Sequence, residues 1–506
     1  MASPVSFIII IFFTTIILHL NFSCCSSSSI LVLPLAHSLS NTQFNTTPHH
    51  HLLKSTATHS ATRFLRHHHQ KPQNHRRQIS LPLNPGSDYT LSFTLGSQTI
   101  SLYMDTGSDV VWLPCHPFDC ILCEGKFNPS AIPFTAPLNL TSATPVTCKS
   151  RACSTAHSSH PSSDLCAAAK CPLDEIETSD CKKFSCPPFY YAYGDGSLIA
   201  SLYEDNLSLS PSSPAALVLE GFKFGCAHSA LAEPIGVAGF GRGALSMPAQ
   251  LAATSPDIGN HFSYCLVSHS FDTNRVRVPS PLILGRYHNS VGDKKGKQTN
   301  PGNDFVYTPM LKNPKHPYFY CVGLEGVSVG KKKIPAPENL RRVDRRGNGG
   351  MVVDSGTTFT MLPPGFYDSV VAEFDNRVGS VYKRAGDVEE RTALGPCYYI
   401  GGEDAKVSYL VPQMLLHFGG NSSVVMPRRN YFYEFLDGGD DGKVKRKVGC
   451  MMLMNGGDES ESGGGPAGLL GNYQQQGFEV VYDLEKGRVG FARRKCSSLW
   501  ETLNKN

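Results

Sequence analysis

The chain has 506 residues, enough for two or more domains, with 17% charged residues, 46 Gly and 35 Pro, a balance that favours a turn-rich β protein over a helical one. Its net charge of +4 is unevenly placed: no Asp or Glu precedes Asp88, whereas Lys54, Arg63, Arg66, Lys71, Arg76 and Arg77 do. With those six set aside the 46 basic residues fall to 40, against 42 acidic ones, so the body of the chain is near neutral and lacks the basic face that nucleic-acid binding requires.

Phe7 to Leu20 is an apolar run too short for an ordinary membrane span. It predicts a secretory signal peptide over residues 1–25, although its leading segment carries no Lys or Arg. A plastid-type transit peptide is the alternative, because the following stretch is Ser-rich and free of acids. Residues 26–80 are polar and rich in Ser, Thr and His, including His49-His50-His51 and His67-His68-His69. They read as a soft, solvated pro-region rather than a metal site. A basic segment of this kind can lie in a carboxylate-containing cleft at neutral pH and is harder to hold once acid protonates the carboxylates and charges the histidines. Arg76-Arg77 is a dibasic cleavage point.

Beyond residue 80 short β-prone runs alternate with turn clusters, as in Tyr89 to Leu95 and Phe478 to Tyr482. The strand-like run Leu102-Tyr103-Met104 leads into Asp105-Thr106-Gly107-Ser108. Much later Met351-Val352-Val353 leads into Asp354-Ser355-Gly356-Thr357. Each acid enters a turn of small residues with a hydroxyl three positions on. Two such turns in matching contexts predict a duplicated half-molecule that brings two carboxylates together, the equipment of general acid/base hydrolysis. Each half also carries an apolar pair followed by Gly, in Ile235 to Gly241 and in Ala467 to Asn472. Glycine there permits a strand to cross close beside the Asp turn. Tyr193-Gly194-Asp195-Gly196 has the turn chemistry of a β-hairpin tip. Arg286 to Asp304 reads as a loop between the halves, which sets boundaries of 85–300 and 301–498. Asp437–Lys443 and Gly456–Pro466 are further Gly/acid loops. The best helix is Pro364 to Val378, with Phe366, Val370, Val371 and Phe374 at helical spacing.

Of 17 cysteines, Cys24 and Cys25 lie at the signal cleavage region. Cys115, Cys120, Cys123, Cys148, Cys153, Cys166, Cys171, Cys181, Cys186, Cys226, Cys265, Cys397, Cys450 and Cys496 are disulfide candidates. Zinc is the weaker reading of their spacing, because no compact Cys/His set lies outside the pro-region. The odd count leaves one thiol free, and Cys321, in an apolar run, is the candidate. The sequons at Asn139, Asn206 and Asn421 fit a glycosylated secreted protein. The expected location is the secretory route, extracellular or cell wall, with vacuole or plastid as alternatives. No membrane anchor is expected.

In order along the chain, Asp105-Thr106-Gly107-Ser108-Asp109-Val110-Val111-Trp112, Tyr193-Gly194-Asp195-Gly196-Ser197, Phe224-Gly225-Cys226, Gly239-Phe240-Gly241-Arg242-Gly243, Phe262-Ser263-Tyr264-Cys265, Asp354-Ser355-Gly356-Thr357-Thr358 and Gly471-Asn472-Tyr473-Gln474-Gln475-Gln476 resemble the pepsin-like aspartic proteases, most closely the cysteine-rich plant branch that includes the nepenthesins. The resemblance runs from about Asp88 to Cys496. It implies an all-β, bilobal fold with an active-site cleft between two β-rich lobes. It also implies an aspartic endopeptidase that acts as a monomer on polypeptide substrates, with Asp105 and Asp354 catalytic and with no cofactor and no metal. Thr106 and Ser355 would brace the two turns, with Gly107 and Gly356 inside them, and Ser108 and Thr357 would orient the carboxylates. Tyr193, Gly194 and Asp195 would form a flap over the substrate, with Trp112 beneath Tyr193. Ala200 and Ser201 depart from the usual flap pattern. The run Cys148 to Cys186 matches the branch's disulfide-rich insertion, and Cys397 with Cys450 matches its second-lobe bridge. The rival reading is a catalytically inactive member of the same fold, serving as a binding protein, inhibitor or storage globulin. The intact Asp105, Asp354 and Tyr193 argue against it.

Overall fold

The structure is a computed structural model that describes residues 31–37, 49–68, 89–121, 123, 137–193, 196–209, 217–231, 235–255, 258, 261–268, 279–285, 305–400, 411–438, 445–457 and 465–504. Among these, a mixed sheet of 19 strands draws on both halves of the chain, and two four-stranded sheets belong to the second half. The expected all-β, bilobal architecture is borne out. Alternation builds the strands: in Tyr89–Leu95 the odd-numbered residues Tyr89, Leu91, Phe93 and Leu95 are buried in the core while the even-numbered ones are more open. The loop expected at Arg286 to Asp304 lies outside the described residues, as do 439–443 and 458–464 within the two Gly/acid loops.

The duplication is visible in the ladders. Gln98–Asp105 runs parallel to Val237–Gly239, pairing Met104 with Ala238 and Asp105 with Gly239. Met351–Val353 runs parallel to Gly468–Leu470, pairing Val352 with Leu469. Both crossings are close: a Cβ on Gly239 would meet the Asp109 carbonyl carbon at 2.6 Å, and one on Gly471 would meet that of Phe359 at 2.6 Å. The halves are joined where His261–Cys265 pairs with Phe478–Asp483, which in turn pairs with Arg488–Arg493. The one helix that periodicity predicted forms as Pro364–Val378, with Pro at its first position and Phe366, Val370, Phe374 and Val378 buried along one stripe.

The N-terminal region differs from the soft, solvated segment that its composition suggests. Leu31–His37 is a strand inserted between Ser280–Leu284 and Tyr89–Leu95. Its Leu33 and Leu35 belong to the main core. Pro34 stands opposite Pro281. His49–His68 is a 20-residue helix. Leu52, Leu53, Thr56, Ala57, Ser60, Arg63 and Phe64 are buried along it, a helical stripe. Leu52, Leu53, Ala57 and Phe64 pack with Phe359, Val388, Tyr433 and Met454 of the second half. Ser60 Oγ accepts the Phe359 N–H at 3.1 Å.

All fourteen candidate cysteines pair, as Cys115–Cys226, Cys120–Cys123, Cys148–Cys166, Cys153–Cys186, Cys171–Cys181, Cys265–Cys496 and Cys397–Cys450. The last is the bridge that the resemblance implied. Three of them staple residues 148–186, which hold only the short helices Arg151–Ala156, Ser162–Ala168 and Leu173–Glu177. A cross-link spanning 33 residues, as in Cys153–Cys186, contributes about 3–4 kcal/mol by restricting the unfolded chain. Cys321 is free and buried, as expected, and burial pushes its thiol up to about 12. Among the described residues no helix is long and apolar enough to cross a membrane.

Candidate active site

Each parallel pair of strands delivers an aspartate to the same place. Asp105 closes its strand, and its carbonyl accepts the Phe240 N–H at 2.7 Å. Asp354 follows Val353 directly, its N–H donates to Leu470 O at 3.1 Å, and its carbonyl accepts from Gln475 Nε2 at 3.2 Å. The turns are locked to each other by a two-fold set of bonds. Thr106 Oγ1 donates to Val353 O and accepts the Ser355 N–H, each at 2.9 Å. Ser355 Oγ donates to Met104 O and accepts the Thr106 N–H, each at 3.0 Å. Each hydroxyl therefore both donates and accepts across the interface between halves, which satisfies it fully in a buried site.

This lattice sets the carboxylates face to face. Asp105 Oδ1 accepts the Gly107 N–H at 2.8 Å, and Asp354 Oδ1 accepts the Gly356 N–H at 2.8 Å. Glycine is required in both turns. A Cβ on Gly107 would stand 2.8 Å from Asp354 Cγ, and one on Gly356 would collide with Asp105. The two acids are 1% and 0% exposed. Thr357 Oγ1 donates to Asp354 Oδ2 at 2.6 Å. Ser108, the equivalent residue on the other side, is buried beside Asp105 and favours its charged form, yet its hydroxyl completes no hydrogen bond of good geometry.

A third group closes the site. Arg63, on the N-terminal helix, reaches both outer oxygens: Nη2 lies 2.5 Å from Asp105 Oδ2 and Nε lies 3.3 Å from Asp354 Oδ2. One guanidinium spanning both carboxylates fixes how near they are to each other. Burial and the neighbouring Asp354 charge push the Asp105 carboxyl above the usual range, against the pull of Arg63. Burial also acts to raise Asp354, but Arg63, the Thr357 hydroxyl, Asp105 and the Gly356 N–H outweigh it and hold this carboxyl low. The pair is thus biased toward one protonated and one ionised member.

A strand pair forms where the sequence predicts a hairpin tip at Tyr193 to Gly196. Phe189–Tyr193 pairs antiparallel with Gly196–Leu209, with Tyr193 opposite Gly196. Gly194, Asp195 and the Tyr193 side chain lie outside what is described, so the expected contact between Tyr193 and Trp112 does too. Trp112 is buried with Leu198 and Ala200 in the core beneath the hairpin. Ala200 and Ser201 continue the strand, with a register shift against Leu217–Leu231 between Ile199 and Ala200. Asn139, Asn206 and Asn421 are all exposed.

Several neighbours of the site were not singled out from sequence. Arg63 appeared there only as one of six basic residues. Asp109 is half-buried next to the first turn, where its Oδ1 accepts the Gly243 N–H at 2.6 Å, and desolvation pushes its carboxyl up to about 6. Tyr191, two residues before Tyr193, accepts the Asp109 N–H on its hydroxyl at 3.3 Å. Asn472 Nδ2 donates to Ser355 O at 2.9 Å. Polar residues placed directly after an apolar strand ending in Gly were the available signal for Asn472 and Gln475. Among the described residues, the two clusters with metal-like spacing, Cys148/Cys166/Cys181 and Cys153/His157/Cys186, consist of disulfide cysteines and one histidine.

The chain is similar to several known proteins. The family described as Xylanase inhibitor N-terminal matches residues 89–286, and that described as Xylanase inhibitor C-terminal matches 319–493. A probable aspartyl protease of Arabidopsis thaliana is 58% identical over 516 residues, covering 98% of this chain and 99% of that protein. The aspartic proteinase nepenthesin-1 of Nepenthes gracilis is 28% identical, covering 81% of this chain and 78% of its own. Among solved structures, basic 7S globulin from soybean superposes with a TM-score of 0.58 at 16% identity, covering 93% of this chain and 99% of that one. Conglutin gamma from lupine seeds gives 0.56 at 18%, covering 93% and 98%.

Proposed function

Because the chain belongs to the plant family of pepsin-like aspartic proteases, within its nepenthesin-like branch, we propose that it is an aspartic endopeptidase held latent by its own N-terminal helix. The observation that carries this reading is the single Arg63 guanidinium bound to both Asp105 and Asp354. It supports a carboxylate pair close enough to share a proton and one water molecule. The ionised member takes a proton from that water as its oxygen bonds to the peptide carbonyl carbon. The protonated member donates a hydrogen bond to the carbonyl oxygen. The C–N bond breaks as the nitrogen gains a proton, releasing a carboxylic acid and an amine. Thr106, Ser355, Gly107 and Gly356 hold the turns, Thr357 and Ser108 orient the carboxylates, and Tyr193, Gly194 and Asp195 form the flap.

In this reading residues 26–80 are a pro-region and 85–300 and 301–498 are the two catalytic lobes. Residues 1–25 direct the chain to the secretory route, where seven disulfides persist and Asn139, Asn206 and Asn421 are glycosylated. Arg63 cannot be deprotonated in a protein. The block is therefore relieved from the carboxylate side, as pH falls through the depressed Asp354 value, or by cleavage of the chain after the helix. The test is incubation of acid-treated, full-chain protein with a denatured protein substrate, with and without pepstatin. Pepstatin-sensitive cleavage is expected. A well-folded, acid-treated protein that cuts nothing would instead favour the reading as an inactive binding or inhibitor protein, which the inhibitor and globulin names among the comparisons keep in view.

A further inference from the structure

The strands that join the halves carry two phenols to the Asp354 turn. Tyr264 lies on His261–Cys265 and Tyr482 on Phe478–Asp483, in diagonal positions, since Tyr264 stands opposite Val480 and Tyr482 opposite Phe262. Both are fully buried. The Tyr482 ring packs against those of Phe262 and Tyr320, with centroids 4.6 and 4.4 Å away, and its hydroxyl meets that of Tyr264 at 2.8 Å. Tyr264 O–H donates to Gln475 Oε1, so the proton between the two phenols comes from Tyr482. Gln475, buried as well, aims its amide hydrogens at main chain. Nε2 donates to Asp354 O at 3.2 Å and to Leu470 O at 2.8 Å, and Leu470 O also accepts the Asp354 N–H. A one-way chain of donors thus runs from Tyr482 through Tyr264 and Gln475 to the peptide of Asp354. It starts in the second half, crosses to the first and returns to the second.

Burial makes this chain exacting. Without Tyr264 the Gln475 Oε1 is a desolvated acceptor with nothing to accept, and turning the amide over would set Oε1 against two carbonyl oxygens. Tyr264 therefore decides whether the amide sits still. Burial pushes both phenols well above their ordinary value, so they remain neutral donors wherever the dyad titrates. Ser263, one position earlier, makes a bond of the same kind across the same strands but on the opposite face, donating to Glu479 Oε1 at 3.0 Å. It is the control for simply loosening the halves.

We propose, resting on the endopeptidase reading above, that Tyr264 is a positioning residue for Asp354. Through the Gln475 amide it fixes the peptide that carries the carboxyl, and with it the orientation in which Asp354 shares the proton and water of the dyad.

The experiment uses the acid-activated full chain as wild type, Tyr264→Phe, Gln475→Leu, the double variant and Ser263→Ala. It measures kcat, KM and the pH profile of kcat/KM on one peptide, with the melting of each protein. Tyr264→Phe is expected to lower kcat by about 10-fold, a part of the roughly 100-fold that an ångström of misplacement costs, with KM within about twofold of wild type. The Thr357 hydroxyl and the Gly356 N–H then hold the carboxylate less well, so the acidic limb moves to higher pH by about half a pH unit. In Gln475→Leu the same substitution adds less than about twofold, because the tie it acts through is already gone. Ser263→Ala is expected to lower Tm and leave kcat and the profile unchanged. If Tyr264→Phe lacks a cooperative melting transition, Tyr482→Phe, which removes the preceding donor, decides by a smaller shift in the same direction. A folded Tyr264→Phe with wild-type kcat and profile overturns the positioning role and leaves the endopeptidase reading intact. So do additive effects in the double variant, or a Ser263→Ala that moves the profile as far. A wild type with no pepstatin-sensitive cleavage at all overturns both.

Discussion

The two aspartate turns are near copies in backbone and unequal in electrostatics. Both carboxylates accept a glycine N–H at 2.8 Å, and both are tied across the halves by a hydroxyl that donates and accepts at 2.9–3.0 Å. Yet Asp105 is pushed up and Asp354 is held down. The symmetric part comes from the duplicated sequence, since small residues in matching turns leave the backbone little choice. The asymmetry comes from single side chains: Thr357 completes its bond to Asp354 and Ser108 does not complete one to Asp105. Asp109 adds a second, half-buried carboxyl on the Asp105 side alone, where Asp354 is followed at the same spacing by Thr358. A duplicated scaffold thus brings two like charges together, and local substitutions give them different protonation states.

The strongest way to break the comparison is to remove either charge. Asp105→Asn and Asp354→Asn should each lower kcat by at least about 10²–10⁴-fold with the fold retained, because general acid/base work needs both members. Circular dichroism and peptide hydrolysis read this together. A variant that cuts at the wild-type rate would remove that residue from the chemistry. Next in size is Arg63→Gln. Breaking one side of a buried ion pair costs about 3–5 kcal/mol, here borne by the docked helix. The latent protein should then hydrolyse peptide at neutral pH without acid treatment. Unchanged latency would mean that Leu52, Leu53, Ala57 and Phe64 hold the helix without the charge.

A smaller effect separates the two sides by pH. Asp109, raised to about 6 from an ordinary value of 3.8, favours the folded state when protonated. Its contribution is fully present below the unfolded value and is lost as pH rises through about 6. The shift corresponds to at most about 3 kcal/mol, less because the group is partly open to solvent. Asp109→Asn keeps the acceptor for the Gly243 N–H while abolishing the titration. The fall in Tm between pH 4 and pH 7 should therefore shrink in the variant. A fall of undiminished size would assign that pH dependence to other groups.

How much of this was legible in the sequence follows from which contacts are local. The Asp turns, the crossing Gly strands and the helix Pro364–Val378 were readable because small residues after an acid, Gly after an apolar pair and a stripe of large apolar residues each restrict the backbone within a few positions. The N-terminal helix was not. Its inner face carries Thr56, Ala57, Ser60 and Arg63 between Leu53 and Phe64, so hydropathy reads it as polar although the spacing is helical. Leu31–His37 becomes a strand only because Ser280–Leu284 and Tyr89–Leu95 leave a gap of its width, a fact held some 250 residues away. Cysteine pairing was mostly hidden for the same reason, since Cys115–Cys226 and Cys265–Cys496 are set by the fold rather than by spacing. Asp109 was quoted in a motif, but its burial depends on Gly243, more than a hundred residues further on.

The finest test compares Thr357→Ala with Ser108→Ala. Thr357 donates a 2.6 Å bond to an ionised carboxylate, and a bond of that kind contributes about 1.5–3 kcal/mol. Its loss lets the Asp354 value rise toward Asp105, so the acidic limb of the kcat/KM profile should move to higher pH. Ser108 makes no such bond in the latent protein, so Ser108→Ala should leave the stability of that state within about 0.5 kcal/mol of wild type. After the helix leaves, Arg63 no longer occupies Asp105 Oδ2, and Ser108 is free to donate there as Thr357 does on the other side. The two alanine variants should then shift the acidic limb of the active enzyme by similar amounts while differing in the melting of the latent one. Unequal effects that persist in the active state would place the asymmetry of the dyad in the turns themselves, and equal effects in both states would place it outside Thr357 and Ser108.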